Sequence, residues 1–289
     1  MAQQSYSIED LYSVFNKIDR YFYENKDGSE FTHGSIRNYC PYYSHLRKGY
    51  CVNYFEMARS GVIHLLENLK KYNLEYDKLA EYAILFLSYK LKQHSQHKYK
   101  SAKLNDFYTN HIEKNDYYNK IKVNGLTCKE IINRKKDLMN MNIKEISKFN
   151  VLFSILFSFY NEINKNKLDC KNCSQKANEF VQNFENLNED SNINGNTSYS
   201  KLLSTLSNDY DNFKSYYVEK CSHCSDLPTL PKVKTPPSKL IPALSTFSVI
   251  PVFLGIAYKY SLFGIDKIFQ RQYIRKKLKK VKKKLKLNI

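Results

Sequence analysis

From Leu240 to Tyr258 the chain runs nineteen residues without an ionisable side chain. As a helix rising 1.5 Å per residue, such a segment would extend about 28 Å, close to the ~30 Å hydrocarbon core of a bilayer. A helix buried in a soluble domain normally keeps a polar stripe. Here the polar side chains are few, with Ser245, Thr246 and Ser248 as the main ones. Pro242 sits in the first turn, where it is tolerated, and Pro251 sits mid-segment, where a membrane helix accepts the kink it causes. The expectation is one transmembrane helix over 240–263. A second apolar run, Phe149–Tyr160, is bounded by Lys148 and Glu162 and is too short to span. It reads as a core helix.

Beyond the uncharged segment the chain turns strongly cationic. The whole carries 46 Lys and Arg against 28 Asp and Glu, a formal charge of +18. From Lys259 onward there are twelve basic residues and one acid, Asp266, so the tail holds +11 of that excess. Ile274, Leu278, Val281 and Leu285 recur at helical spacing. Arg271, Arg275, Lys276, Lys277, Lys279, Lys280, Lys282, Lys283 and Lys284 fill the other faces. This is the pattern of a basic amphipathic helix lying on a membrane surface, with about 1 kcal/mol of attraction to an anionic leaflet per basic residue. Anionic lipid headgroups, rather than nucleic acid, are the expected partner: the tail adjoins a span and lacks stacking aromatics beyond Tyr273. The positive-inside bias then places residues 264–289 in the cytosol and the larger region on the other side. The N-terminus shows no cleavable signal peptide; Ile8, Leu11, Tyr12, Phe15, Ile18 and Phe22 mark an amphipathic helix instead.

The region in front reads as all-α. Only 8 glycines and 7 prolines in 289 residues leave too few turn-formers for a β-sandwich. Phe55, Ala58, Val62, Leu65, Leu66 and Leu69 mark one helix. Leu79, Tyr82, Ala83, Phe86, Leu87 and Leu91 mark the next. Thr127 with Glu130 forms a capping box that opens a third. Ala177–Leu187 and Tyr199–Tyr217 carry two apolar stripes separated by an Asn/Gly loop, an antiparallel αα-hairpin. No segment alternates well enough to be a strand. Residues 226–239, with Pro228, Pro231, Pro236 and Pro237, read as an extended linker.

Seven cysteines remain. Folding the αα-hairpin brings Cys170 and Cys173 towards Cys221 and Cys224, a geometry that serves disulfides and a four-thiolate zinc site alike. A domain facing away from the cytosol favours bridges. Cys40 and Cys51 form a further candidate pair, and Cys128 is left over as an unpaired thiol. No nucleophile elbow, phosphate loop or HExxH motif is present, and the seven histidines are scattered. Nothing points to catalysis, and no cofactor or metal is expected.

Particular stretches carry a resemblance. Lys176–Phe213, "KANEFVQNFENLNEDSNINGNTSYSKLLSTLSNDYDNF", and Lys239–Gly264, "KLIPALSTFSVIPVFLGIAYKYSLFG", resemble the Plasmodium interspersed repeat (PIR) family of variant antigens, in wording closest to its rodent-parasite branch. Arg134–Phe149, Leu79–Leu91 and the cysteine-containing Asn38–Leu69 are similar to the same family. In one departure, Val62 stands where the family pattern places a cysteine. The resemblance implies a disulfide-stapled helical bundle ectodomain (1–225), a Pro-rich linker (226–239), one transmembrane helix (240–263) and a basic cytosolic tail (264–289). It also implies a non-enzymatic antigen, exported to the infected red cell or parasite-associated membranes. There it would contact a host protein or glycan in antigenic variation and immune evasion. The other reading of the residues is an intracellular membrane-associated component held by its span and lysine-rich tail.

Overall fold

The computed structural model describes residues 7–25, 28–44, 48–93, 103–164, 169–220, 226–236 and 269–283. The expected span at 240–263 lies outside them, as do His94, His97, Cys221, Cys224, Lys284 and Leu285. Among the described residues no helix is long and apolar enough to cross a membrane. The chain divides into two compact units, Met1–Pro236 and Pro237–Ile289.

The first unit is built from helices. In chain order they are α1 (Ile8–Asp19), α2 (Gly34–Arg37), α3 (Tyr54–Leu69), α4 (Tyr76–Gln93), α5 (Leu104–Phe107), α6 (Asp116–Lys120), α7 (Cys128–Asn133), α8 (Lys136–Met139), α9 (Ile143–Asn164), α10 (Cys170–Glu189), α11 (Ser191–Asn194) and α12 (Thr197–Lys220). Their starts follow from local chemistry. Ser7 accepts the Asp10 N–H at 3.1 Å and Asn53 accepts the Glu56 N–H at 3.0 Å. Thr127 and Glu130 complete the capping box that opens α7. Each such cap contributes about 1 kcal/mol.

Helix α9 is apolar nearly all round and lies at the centre, in contact with α1, α4, α10 and α12. It buries Phe149, Leu152, Phe153, Leu156, Phe159 and Tyr160. Phe15 of α1 meets Phe153 edge-on at 5.2 Å. Phe213 of α12 stacks on Phe159 at 4.1 Å. The αα-hairpin forms from α10 and α12, closed by Phe180 stacked on Tyr210 at 4.6 Å. Burying a side chain of this size stabilises by roughly 1.5–3 kcal/mol, so these rings carry the bundle.

Against the expectation of no strands, three two-stranded antiparallel hairpins interrupt the helices. They are β1 (Phe22–Glu24) with β2 (Glu30–Thr32), β3 (Tyr42–Tyr43) with β4 (Lys48–Gly49), and β5 (Lys122–Val123) with β6 (Leu126–Thr127). Strands of two or three residues are too short for alternation to register. Two of them did carry a signal in the sequence, Asp27-Gly28 between β1 and β2 and Asn124-Gly125 between β5 and β6. Asn124 and Gly125, between β5 and β6, have φ of 52° and 108°, and Asn-Gly is the favoured pair for a tight turn of positive φ.

The Pro-rich segment also departs from its expected role as a free linker. Residues 226–236 are extended but belong to the first unit. Leu227 is buried, and the Tyr210 hydroxyl donates to the Pro228 carbonyl at 2.9 Å. Asn188 on α10 donates to the Lys232 carbonyl at 3.0 Å and accepts the Lys234 N–H at 2.7 Å. One amide side chain thus satisfies backbone atoms that the prolines leave without a ladder, and the strap ties α12 back to α10.

In the second unit residues 269–283 form a helix. Arg271, Arg275, Lys276, Lys277, Lys279, Lys280, Lys282 and Lys283 are all exposed on it. So are Phe269, Tyr273, Ile274, Leu278 and Val281.

Candidate functional site

The sharpest local feature of the first unit is the segment around Cys40 and Cys51. The two are joined by a disulfide, with Cα atoms 4.9 Å apart. The β3–β4 hairpin makes this approach, pairing Tyr42 with Gly49, and the Tyr50 N–H donates to the Pro41 carbonyl at 2.9 Å. Gly49 lies so close to the carbonyls of Arg37 and Cys40 that a Cβ there would collide with them. Beneath the hairpin only Cys40, Cys51 and Met57 form a buried cluster, with Phe22 against it. Its outer side presents Tyr42 (65% exposed), Tyr50 and Val52 to solvent.

Beside this hairpin opens a cleft of about 480 Å³. Pro41, Tyr42, Glu56 and Arg59 line it on one side, and residues 110–120, including His111, Lys114, Asn115 and Asp116, on the other. Arg59 is only 9% exposed. Its Nη1 donates to the His111 carbonyl at 3.3 Å, and its Nε–H has no acceptor among the described residues. The cleft's acids already have partners: Glu56 accepts the Val52 N–H at 2.9 Å, and Asp116 pairs with Lys120, which also lines the cleft, at 3.3 Å. Burial first, and the Arg59 charge next, hold the His111 pKa below its ordinary value, so its ring stays neutral at pH 7.

A second polar cluster lies inside the bundle. Asp209 of α12 is fully buried and accepts from the Tyr12 hydroxyl at 2.9 Å and the Tyr82 hydroxyl at 2.8 Å. Tyr160 donates to the Asp209 carbonyl at 3.1 Å, and Lys78 approaches the carboxylate at 3.8 Å. Four helices meet on this residue. Burial pushes its pKa up to about 6, opposed by Lys78 and the two tyrosine hydroxyls. Nearby, Lys135 pairs with Glu81 at 2.6 Å, both almost fully buried, and the Thr205 hydroxyl donates to Glu81 at 2.6 Å. These groups are saturated by one another inside the bundle. Such an arrangement fixes helix register.

The cysteines sort by environment. Cys128 is free and buried, and burial pushes its thiol up to about 12; it is a protonated core residue, not a nucleophile. Cys170, the first residue of α10, is disulfide-bonded, and a bridged sulfur is not a thiolate ligand. Cys173 is buried on the same helix. Among the described residues no group of three or more His, Cys, Asp or Glu side chains is placed to hold a metal ion. Sequence reasoning found the cysteines and the basic tail but neither Arg59 nor Asp209. Arg59 lies in the run Met57–Ile63 of α3, which is buried throughout, and Asp209 recurs with Tyr210 and Phe213 on an apolar stripe, a charge where none was expected.

The comparisons decide the family. The sequence profile of the Plasmodium variant antigen protein Cir/Yir/Bir matches residues 12–259. The chain belongs to that family. As a Cir/Yir/Bir variant antigen it shares its fold with a solved structure described as "Structure of a Plasmodium PIR protein ectodomain", at 32% sequence identity and a TM-score of 0.54. That similarity covers 77% of this chain and 100% of the solved one. No curated protein matches the chain. The variant antigen's matched region takes in both the disulfide hairpin and the buried Asp209 cluster, and it extends through the uncharged segment at 240–258.

Proposed function

We propose that this variant antigen, of the rodent-parasite branch, is a single-pass membrane protein exported to the infected red cell or parasite-associated membranes. Its helical head faces away from the cytosol, and its basic tail rests on anionic headgroups of the cytosolic leaflet. The head is a non-enzymatic contact surface for a host protein or glycan, and its variation serves immune evasion. The observation that carries the reading is the family match running to residue 259, through nineteen uncharged residues, with a fully exposed cationic helix beyond them. The complete PIR ectodomain of the solved structure corresponds to 77% of the chain. That leaves a remainder long enough for an anchor and a tail. The core offers further support, because Lys135 and Glu81 are buried as a mutual pair and the Cys128 thiol is protonated.

Protease treatment of intact infected cells expressing a copy tagged at both ends tests this. The N-terminal tag should be lost and the C-terminal tag retained on a fragment of the tail and anchor. A head that survives outside treatment, and under stepwise permeabilisation is digested only together with the C-terminal tag, would contradict the display reading and favour the intracellular membrane component.

A further inference from the structure

We infer that the cleft beside the Cys40–Cys51 hairpin is a binding site for a carboxylated sugar. The inference deepens the proposed contact role of the head and rests on it. The first argument is an imbalance of partners. Arg59 lines the cleft while only 9% exposed, and its Nε–H has no acceptor among the described residues. Lys114, on the opposite wall, has no ion pair among them either. An unmade hydrogen bond on a buried charged group is costly. The cleft's own acids do not relieve it: Glu56 is held by the Val52 N–H and Asp116 by Lys120. What the site lacks is an anion, and a guanidinium presents a fork that matches a planar carboxylate.

The rest of the lining selects what carries that carboxylate. Tyr42 is the most exposed aromatic among the described residues of the first unit and forms part of the wall. A tyrosine ring covers an apolar ring face while its hydroxyl stays in water. Asn110 supplies an amide that can serve hydroxyl groups as donor or acceptor, and Asn115, whose Oδ1 caps α6 by accepting the Tyr117 and Tyr118 N–H groups, can offer its Nδ2 as a donor. A pyranose ring is suited to this combination of flat aromatic and amide, whereas acidic peptide motifs are taken by clusters of arginines, and Arg59 is the one arginine among the described lining residues. Among its described lining residues Pro41, Tyr42 and Tyr117 are the apolar ones, with no aliphatic chain to seat a peptide's apolar anchor. Tyr42 is also fixed in place: the disulfide and the β3–β4 pairing hold its backbone, so little order has to be gained on binding.

Ligand-observed NMR on the full chain in detergent, with glucuronate as the probe, tests the site. Glucuronate should show saturation transfer, while its neutral methyl ester should show at least tenfold weaker binding. Arg59→Gln should weaken glucuronate by about tenfold or more, from losing a charge-assisted bidentate contact. Because Arg59 also braces the His111 carbonyl, two exposed variants keep the test independent of folding. Tyr42→Ala should cost about fivefold and Lys114→Gln about threefold, in proteins with an unchanged helical circular dichroism spectrum. Equal binding of the methyl ester, indifference to Tyr42→Ala and Lys114→Gln, or tighter binding of an acidic pentapeptide than of glucuronate would each overturn the inference. A chain that passes the cell-surface protease test but binds no acidic sugar would sink this site alone.

Discussion

The α9-centred bundle and the Cys40–Cys51 hairpin, within one unit, are held by opposite means. In the bundle, apolar burial dominates: Phe15, Phe153, Phe159, Phe213 and their neighbours are buried, and Asp209 helps fix register, its carboxylate engaging α1 and α4 and its backbone carbonyl α9. Under the hairpin, among the described residues, three are buried together, two of them the cysteines themselves. A core that small cannot hold three exposed residues, Tyr42, Tyr50 and Val52, in place; the covalent bridge does. The lesson is that in this head a cross-link, not packing, sets the backbone under the exposed Tyr42, Tyr50 and Val52.

The largest effect expected on this contrast is Phe153→Ala. It should destabilise the head by about 4 kcal/mol in denaturant unfolding followed by helical circular dichroism, because a buried ring is lost and a cavity remains. Removing the bridge with Cys40→Ala and Cys51→Ala together should cost about 3 kcal/mol, the value for a loop of this length. Its signature should differ. Limited proteolysis should cut between 41 and 50 while helical signal is still native, whereas Phe153→Ala should expose all sites together. Coincident loss of both signals in the bridge variant would erase the distinction between the two regions.

Asp209 supplies a pH test of the bundle. Its folded pKa of about 6 lies above the ordinary 3.8. The folded state therefore holds the proton more tightly, and this contribution to stability is complete below pH 4 and lost as pH rises through 6. His64 and His111, lowered first by burial, act in the opposite sense over the neighbouring range, losing stability as pH falls. The comparison must be made between the protein and its Asp209→Asn variant, which removes only the carboxylate. The variant should gain on the parent by on the order of 2 kcal/mol between pH 4 and 7.5, read as thermal midpoints. A difference independent of pH would mean that Asp209 does not titrate in this interval. The smallest effect belongs to the β5–β6 turn: Gly125→Ala, at φ 108°, should cost about 1 kcal/mol in the same melts.

The regions also differ in how far the sequence foretold them. Helices α3, α4, α9, α10 and α12 announce themselves because apolar residues recur at helical spacing over many turns, and the Thr127–Glu130 capping box marks a boundary directly. The hairpins do not, since strands of two or three residues have no period to read; the pairs Asp27-Gly28 and Asn124-Gly125 were their turn signals. The strap at 226–236 was legible as extended, but its partner Asn188 is an ordinary polar residue some forty positions away. The cleft was not legible at all. Its walls come from residues 41–42, 56–59 and 110–120, joined only by folding, and Arg59 stands out only once its Nε is seen to lack an acceptor.

The central claim is that residues 240–258 anchor this head in lipid. Detergent-phase separation of the intact protein tests it most directly, with a chain ending at residue 236 as the comparison. The account predicts that the intact chain enters the detergent-rich phase and the shortened one stays in water, still folded. Recovery of the intact chain in the aqueous phase would contradict it.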